Sequence, residues 1–374
     1  MSSGKNVREP LFHIVRRRNM PFLRRVLVRF LGVLCGILAC GIMILCFTGL
    51  NPAVVFTTMI DSNFGNLNTF WITVRDTMIL LLVGVALAPA FRMRFWNVGG
   101  EGQILIGGFA TAACMRLLAD SVSSPVLFVS MIAASMLSGM IWGLIPAIFK
   151  AKWNTNETLF TLMMNYIAIQ IVSAFSIIWE AKKGSGSIGV INLSTKAGWM
   201  NSALLPDLLG KRNFMLHVII VMVLAVLMFI YMRYTKHGYE ISVVGESTNT
   251  ARYAGIDVNR VILRTMMLSG AICGLAGFIL VSGNSHTIST VTADSRGFTA
   301  IIVAWLGKLN PFYMLLISFF LIFMDYGAMG VATACRLNES FSDIITGVLL
   351  FFILGCEFFI NYRIVKRGHH REVA

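Results

Sequence analysis

Apolar runs close to the length of a bilayer crossing recur from one end of this chain to the other, and they restrict its fold more than any other feature. A hydrocarbon core about 30 Å thick needs about 20 residues of helix. Within it every backbone N–H and C=O must find a partner inside the protein, so only helices and closed barrels can cross. Barrel strands would be about half as long as these runs. Composition agrees: 57% of residues are hydrophobic and 13% are charged, against about 25% charged in soluble domains. The predicted fold class is all-α, a polytopic membrane protein of about ten transmembrane helices.

The runs read as spans over Val26–Thr48, Trp71–Phe91, Phe95–Leu118, Pro125–Phe149, Thr158–Trp179, Phe214–Met232, Val261–Val281, Gly297–Leu306, Pro311–Ala328 and Phe341–Tyr362. The eighth is conspicuously short. Gly49–Phe70, rich in Asn, Thr and Ser, reads as an external segment. Arg92 and Arg94, Lys150 and Lys152, Arg233 and Lys236, and Arg363 with Lys366 close alternate spans, as the positive-inside rule expects of cytoplasmic ends. Both termini are then cytoplasmic, and the net charge of +14 reports membrane orientation, not nucleic-acid binding. The loop Glu180–Arg212 is the exception, with Lys182, Lys183, Lys196, Lys211 and Arg212 on the outer side; loops of that length orient weakly.

Residues 1–25 read as a basic tail beside anionic headgroups, 26–362 as the transmembrane domain, and 363–374 as a second tail. The first span is too long for a signal-peptide core, so no cleaved leader is predicted. The seven cysteines are scattered, with no C-x-x-C pair, and His369 and His370 lack ligand spacing. The cysteines read as small hydrophobes, not metal ligands.

No lysine is followed by Ser or Thr, so the chain has no Walker A loop, and it has neither H-E-x-x-H nor G-x-S-x-G. It is expected to be non-enzymatic, with no catalytic residues and no cofactor or metal of its own.

Two polar stretches stand out. Tyr239–Arg260 separates the sixth and seventh spans. Ser247 or Thr248 can cap a helix there, with Glu246 just ahead of the positive helix end. Gly255 can take the left-handed position after it, and Ile256 can pack back. A helix is predicted over about Asn249–Ala254, with Arg252 and Tyr253 projecting. Two readings stand: a knob that receives force from a cytoplasmic partner, or a plain connection. The second stretch is the elbow from Asn97 to Gln103, with three glycines in four positions. A carboxylate such as Glu101 is costly at membrane depth and suggests function; alternatively it pairs with Arg92 or Arg94 at the interface. Asn165 in the fifth span either faces a pathway or bonds a neighbouring helix. Asp325 and Glu357 are the deepest acids, with Arg296 or Arg336 as candidate partners, and Asp76 beside Arg75 reads as interfacial. Gly32/Gly36, Gly139/Gly143 and Gly270/Gly274 have the small-residue spacing of helix contacts.

Taken in order, NVGGEGQ, NETLFTLMMNY, VVGESTNTARYAGIDVNRVI with SGAICGLAG, and GFTAIIVAWLGKLNP resemble the permease subunits of bacterial ABC importers for simple sugars and nucleosides. The resemblance covers about Phe91–Pro311 and is nearest to the larger nucleoside permease. It implies two related halves in the bacterial cell membrane. It implies as partners a second permease, often a non-identical sibling, an ATP-binding cassette subunit that binds ATP-Mg, and an extracytoplasmic substrate-binding lipoprotein. Gly245, Glu246, Ser247, Asn249, Arg252, Tyr253, Ala254 and Gly255 match the family's coupling segment, which docks on the ATPase. Asn97, Glu101, Gln103 and Asn165 are then candidates for a pathway suited to neutral polar solutes. Trp305 and Lys308 depart from the family pattern. A rival class is a proton-coupled secondary transporter using Glu101, Asp325 or Glu357; a third is a membrane scaffold.

Overall fold

The computed structural model describes residues 12–17, 20–49, 51–200, 215–336 and 339–366. Helix dominates the described residues. Its elements are β1 (Phe12–Arg16), α1 (Phe22–Thr48), α2 (Pro52–Phe64), α3 (Leu67–Arg92), α4 (Gly100–Leu118), α5 (Ser124–Trp153), α6 (Glu157–Ile178), α7 (Met215–Tyr234), α8 (Lys236–Glu246), α9 (Thr248–Tyr253), α10 (Val258–Leu280), α11 (Arg296–Leu306), α12 (Pro311–Ala334), α13 (Glu339–Asn361) and β2 (Tyr362–Lys366).

Among the described residues eight helices are long and apolar enough to cross a membrane: α1, α3, α5, α6, α7, α10, α12 and α13. The sequence predicts about ten. One of the two missing from this set is α4, whose 19 residues are diluted by glycine, Glu101 and Gln103. The other is α11, whose 11 residues reach about 16 Å, half a bilayer. Residues 1–11 and 367–374, together with Lys211 and Arg212, lie outside the described residues.

The span 26–362 read as one domain divides into two compact units, 1–66 with 323–374, and 67–322. In the first, α1 packs on α13: a Cβ on Gly36 would meet Leu349 and Phe352, and one on Gly32 would meet Cys356. Arg29 Nε donates to Glu357 Oε1 at 3.1 Å, so Glu357 pairs with the first helix and not with Arg296 or Arg336. The supposed external segment holds α2. Asn51 caps it by accepting from Ala53 N at 2.9 Å, with Pro52 at the first position. Among the described residues β1 pairs antiparallel with β2, Phe12 opposite Lys366 and Arg16 opposite Tyr362.

In the second unit α10 is the axis. Its face from Ser269 to Leu280 is buried throughout, packed among α3, α4 and α5. Contact is backbone on backbone. A Cβ on Gly139 would sit 2.3 Å from Gly270 O, and one on Gly277 would sit 2.2 Å from Ile104 O. Without water to drive association, small residues let apolar helices approach until dispersion forces hold them. Gly139 and Gly270, expected as contact positions, meet each other; Gly107 and Gly277 join them.

Candidate functional site

The segment between α7 and α10 is two helices, not one. The predicted short helix is present as α9. Ser247 caps it, accepting from Thr250 N at 3.2 Å. Its exit has Gly255 at φ +76 with Gly255 N bonded to Arg252 O, and Ile256 N bonded to Ala251 O at 2.9 Å. That pair of bonds closes the last turn while Ile256 folds back on the helix. The sequence reading missed α8. Its start is capped by Thr235, which accepts from Gly238 N at 3.2 Å. Gly238 is essential there, since a Cβ would lie 2.4 Å from Met232 O.

The two helices rest on a buried apolar base of Met93, Phe95, Ile241, Val244, Ala251 and Ile262. Above it, Glu246, Asn249, Arg252, Ala254 and Gly255 are exposed, and Tyr253 is 94% exposed. A tyrosine that bare has no packing role within its own chain. Gly245 differs from its neighbours: it is buried, and a Cβ on it would lie 2.0 Å from Arg92 O. It seats α8 on the end of α3 and is no part of the outer face. Glu240 of α8 accepts from Arg264 of α10 at 2.8 Å, which holds its carboxyl below the usual range, against burial. A lowered carboxylate pKa adds stability above the unfolded value of about 4.3, lost as pH falls through the folded value. The knob is thus tied to α3 by backbone contact and to α10 by an ion pair.

The elbow residues converge. Asn97 Oδ1 accepts from Gly99 N at 3.0 Å. Asn165 Oδ1 accepts from Gly102 N at 2.9 Å, and its Nδ2 donates to Val98 O at 3.0 Å. Gln103 Nε2 reaches Asn97 Oδ1 at 3.5 Å, and Asn97 Nδ2 reaches Ser269 Oγ at 3.4 Å. All are buried. Asn165 therefore binds the turn preceding α4. Among the described residues the buried atoms Gln103 Oε1, Trp142 Nε1 of α5 and Thr265 Oγ1 of α10 have no hydrogen-bond partner.

Glu101 pairs with neither Arg92 nor Arg94. Its oxygens accept from Ser295 N at 3.0 Å and Gly297 N at 2.8 Å, which are free N–H groups at the start of α11. Ser295 itself offers no side-chain cap. The starts of α4 and α11 abut, so that a Cβ on Gly297 would lie 2.2 Å from Glu101 N. Gly102, in the first turn of α4, touches Asn165, about two turns into α6. Beside them Asp76, expected at the interface, is fully buried within the protein. It accepts from Arg75 at 2.9 and 3.0 Å and lies 3.6 Å from Arg296. Buried acids and bases balance here, as low-dielectric surroundings require. The sequence does hint at the pairing: α4 opens on Gly100-Glu101 and α11 on Arg296-Gly297, each a glycine beside a charge.

The family model described as "Branched-chain amino acid transport system / permease component" matches residues 69–354. The guanosine ABC transporter permease of Bacillus subtilis is 27% identical over 351 residues, covering 92% of this chain and 98% of its own. The glucose ABC transporter permease of Haloferax volcanii is 28% identical, covering 83% and 81%. The nucleoside ABC transporter permease of Lactococcus lactis is 26% identical, covering 92% and 94%. No solved structure matches the chain. A polytopic helical chain whose matched region takes in the elbow, the α8–α9 knob and the broken helix α11 belongs to the permease-component family of branched-chain amino acid transport systems.

Proposed function

We propose that this chain is the membrane-crossing subunit of an ATP-driven importer for nucleosides or related neutral polar solutes. The observation that carries the coupling role is the exposed α9 knob: capped at both ends, tied to α3 and α10, and presenting Arg252 and Tyr253 to solvent. Such a knob suits an ATP-binding cassette subunit on the cytoplasmic face. Nucleotide-driven closure there would push α8 and α9 and rock α7 against α10, opening the pathway alternately to each side. A second permease and an extracytoplasmic binding lipoprotein complete the assembly in this reading, with ATP-Mg held by the partner and not by this chain.

The substrate class rests on the broken helices. Half-helix starts at membrane depth are where transporters commonly bind solutes, and bare ones favour anions. Here Glu101 occupies N–H groups at the start of α11, so that helix end leaves an anion no open donors. Uncharged donors and acceptors remain, with Gln103 Oε1 the buried acceptor that still lacks a donor. The guanosine and nucleoside permeases among the relatives favour nucleosides over sugars.

The test uses the whole transporter in proteoliposomes. Gly255→Pro cannot keep φ +76 and removes the N–H bonded to Arg252 O, while Arg252→Glu reverses the exposed charge. Each is expected to leave the protein membrane-inserted, to cut uptake at least tenfold, and to break the dependence of ATPase rate on solute. Unchanged uptake in both variants would falsify the coupling role.

A further inference from the structure

At the end of the second unit where α3 and α7 finish on basic residues there is a cavity of about 410 Å³, between those helices, α8 and the turn that follows α11. Its lining separates by chemistry. Arg92, Arg233 and Lys308 supply three cations, and no acid lines it. None of the three forms an ion pair among the described residues. Arg92 Nε donates to the neutral Ser242 Oγ at 3.2 Å, and the Arg233 guanidinium lies 5.9 Å from the Phe229 ring centre. The remaining wall is apolar, with Met228, Phe229 and Met232 from α7.

Lys308 is held at this cavity by an unusual backbone. It and Leu309 are consecutive left-handed residues, at φ 51 and 57, a conformation that strains non-glycine residues. Bonds from Leu309 N to Ala304 O and from Asn310 N to Gly307 O, both 3.0 Å, keep the turn closed. The aromatic residues around it mark depth. Trp96 and Trp305 stack with centres 5.2 Å apart and are 45% and 50% exposed, and Tyr239 is 65% exposed. Half-exposed Trp and Tyr favour the headgroup level of a bilayer, where one part of the ring system is apolar and another wet.

We propose that this cavity binds an anionic phospholipid, its headgroup phosphate held by Arg92, Arg233 and Lys308 and the start of an acyl chain lying on the Phe229 and Met232 wall. A free phosphate would satisfy the cations equally well but would leave the apolar half in contact with water. A basic pocket between helices at the membrane boundary is the chemistry that recognises such lipids. The proposal stands whether or not the transport reading does. Because Tyr239 and Ser242 belong to α8, a bound lipid would also brace the base of the knob.

The experiment is native mass spectrometry of the full-length protein, delipidated in a neutral detergent, alone and in the assembled transporter. Phosphatidylglycerol, phosphatidylcholine and inorganic phosphate are the probes. Phosphatidylglycerol is expected to bind at least tenfold more tightly than phosphatidylcholine. Lys308→Gln and Arg233→Gln are each expected to weaken it about fivefold, with Lys308→Arg and Arg233→Lys restoring it as folding controls. Equal binding of the two lipids would overturn the proposal, as would competition by inorganic phosphate on a par with the lipid. So would an assembled transporter that retains no more phosphatidylglycerol than its glutamine variants.

Discussion

Glu101 shows what one side chain does where the starts of two helices abut. Its carboxylate satisfies two N–H groups of α11 and offsets the positive helix end. Glu101→Ala strands both donors where water cannot reach them, and the expected loss is about 2 kcal/mol or more. Glu101→Gln keeps one acceptor and should lose about half as much. Thermal unfolding in detergent checks the order, Ala below Gln below the native protein. A proton-coupling Glu101 would instead make uptake by the Gln variant insensitive to an uncoupler, whereas here uptake in both forms should be insensitive. The sequence marks Glu101 as costly yet conceals its partners. Reading a sequence pairs an acid with nearby bases, here Arg92 and Arg94, whereas backbone donors far along the chain carry no letter of their own. Asn97, Gln103 and Asn165 were legible as a group because polar residues bordering apolar runs are conspicuous.

The long helices were legible because length and hydropathy are local properties. So was α9, whose Ser247 and Gly255 mark its ends in the letters themselves. By contrast α8 escaped notice: KHGYEISVVGE holds two glycines and no sustained apolar face, and its stability comes from seating against α3 and α10. Likewise α2 was hidden by its polar surroundings, although Asn51-Pro52 is a cap and first-turn pair. The α5–α10 contact makes a sharper prediction. Any Cβ at Gly139 or Gly270 would fall 2.3 Å from a carbonyl oxygen of the other helix, so the two helices must separate. Gly139→Ala is expected to cost about 1–3 kcal/mol. Gly355→Ala on α13, where a Cβ meets nothing within 4 Å, should not destabilise the protein. Melting curves of the two variants side by side decide it.

For the whole molecule, the pairing of β1 with β2 constrains the path of the chain. Two segments hydrogen-bonded to each other lie on one side of the membrane, so the chain between them crosses an even number of times. The eight long apolar helices and α4 make nine. An even count then needs a tenth, and the sequence reading puts it between α10 and α12, where α11 covers only half the distance and irregular backbone the rest. Such backbone survives at depth only where protein supplies its partners, as Glu101 does. Cysteines placed at Val291, 74% exposed, and at exposed Lys308 should react with an impermeant thiol reagent from opposite sides. Labelling of both from one side would break the argument. The sequence predicts this crossing as Gly297–Leu306 but cannot show that half of it is not helix.

The tie between Arg29 and Glu357 also sets an order of events during synthesis. Here α1 carries a guanidinium whose counter-ion belongs to α13, 328 residues further along the chain. Until α13 has been made, α1 waits in the lipid without that neighbour, and a ribosome that stops before it leaves the charge unanswered.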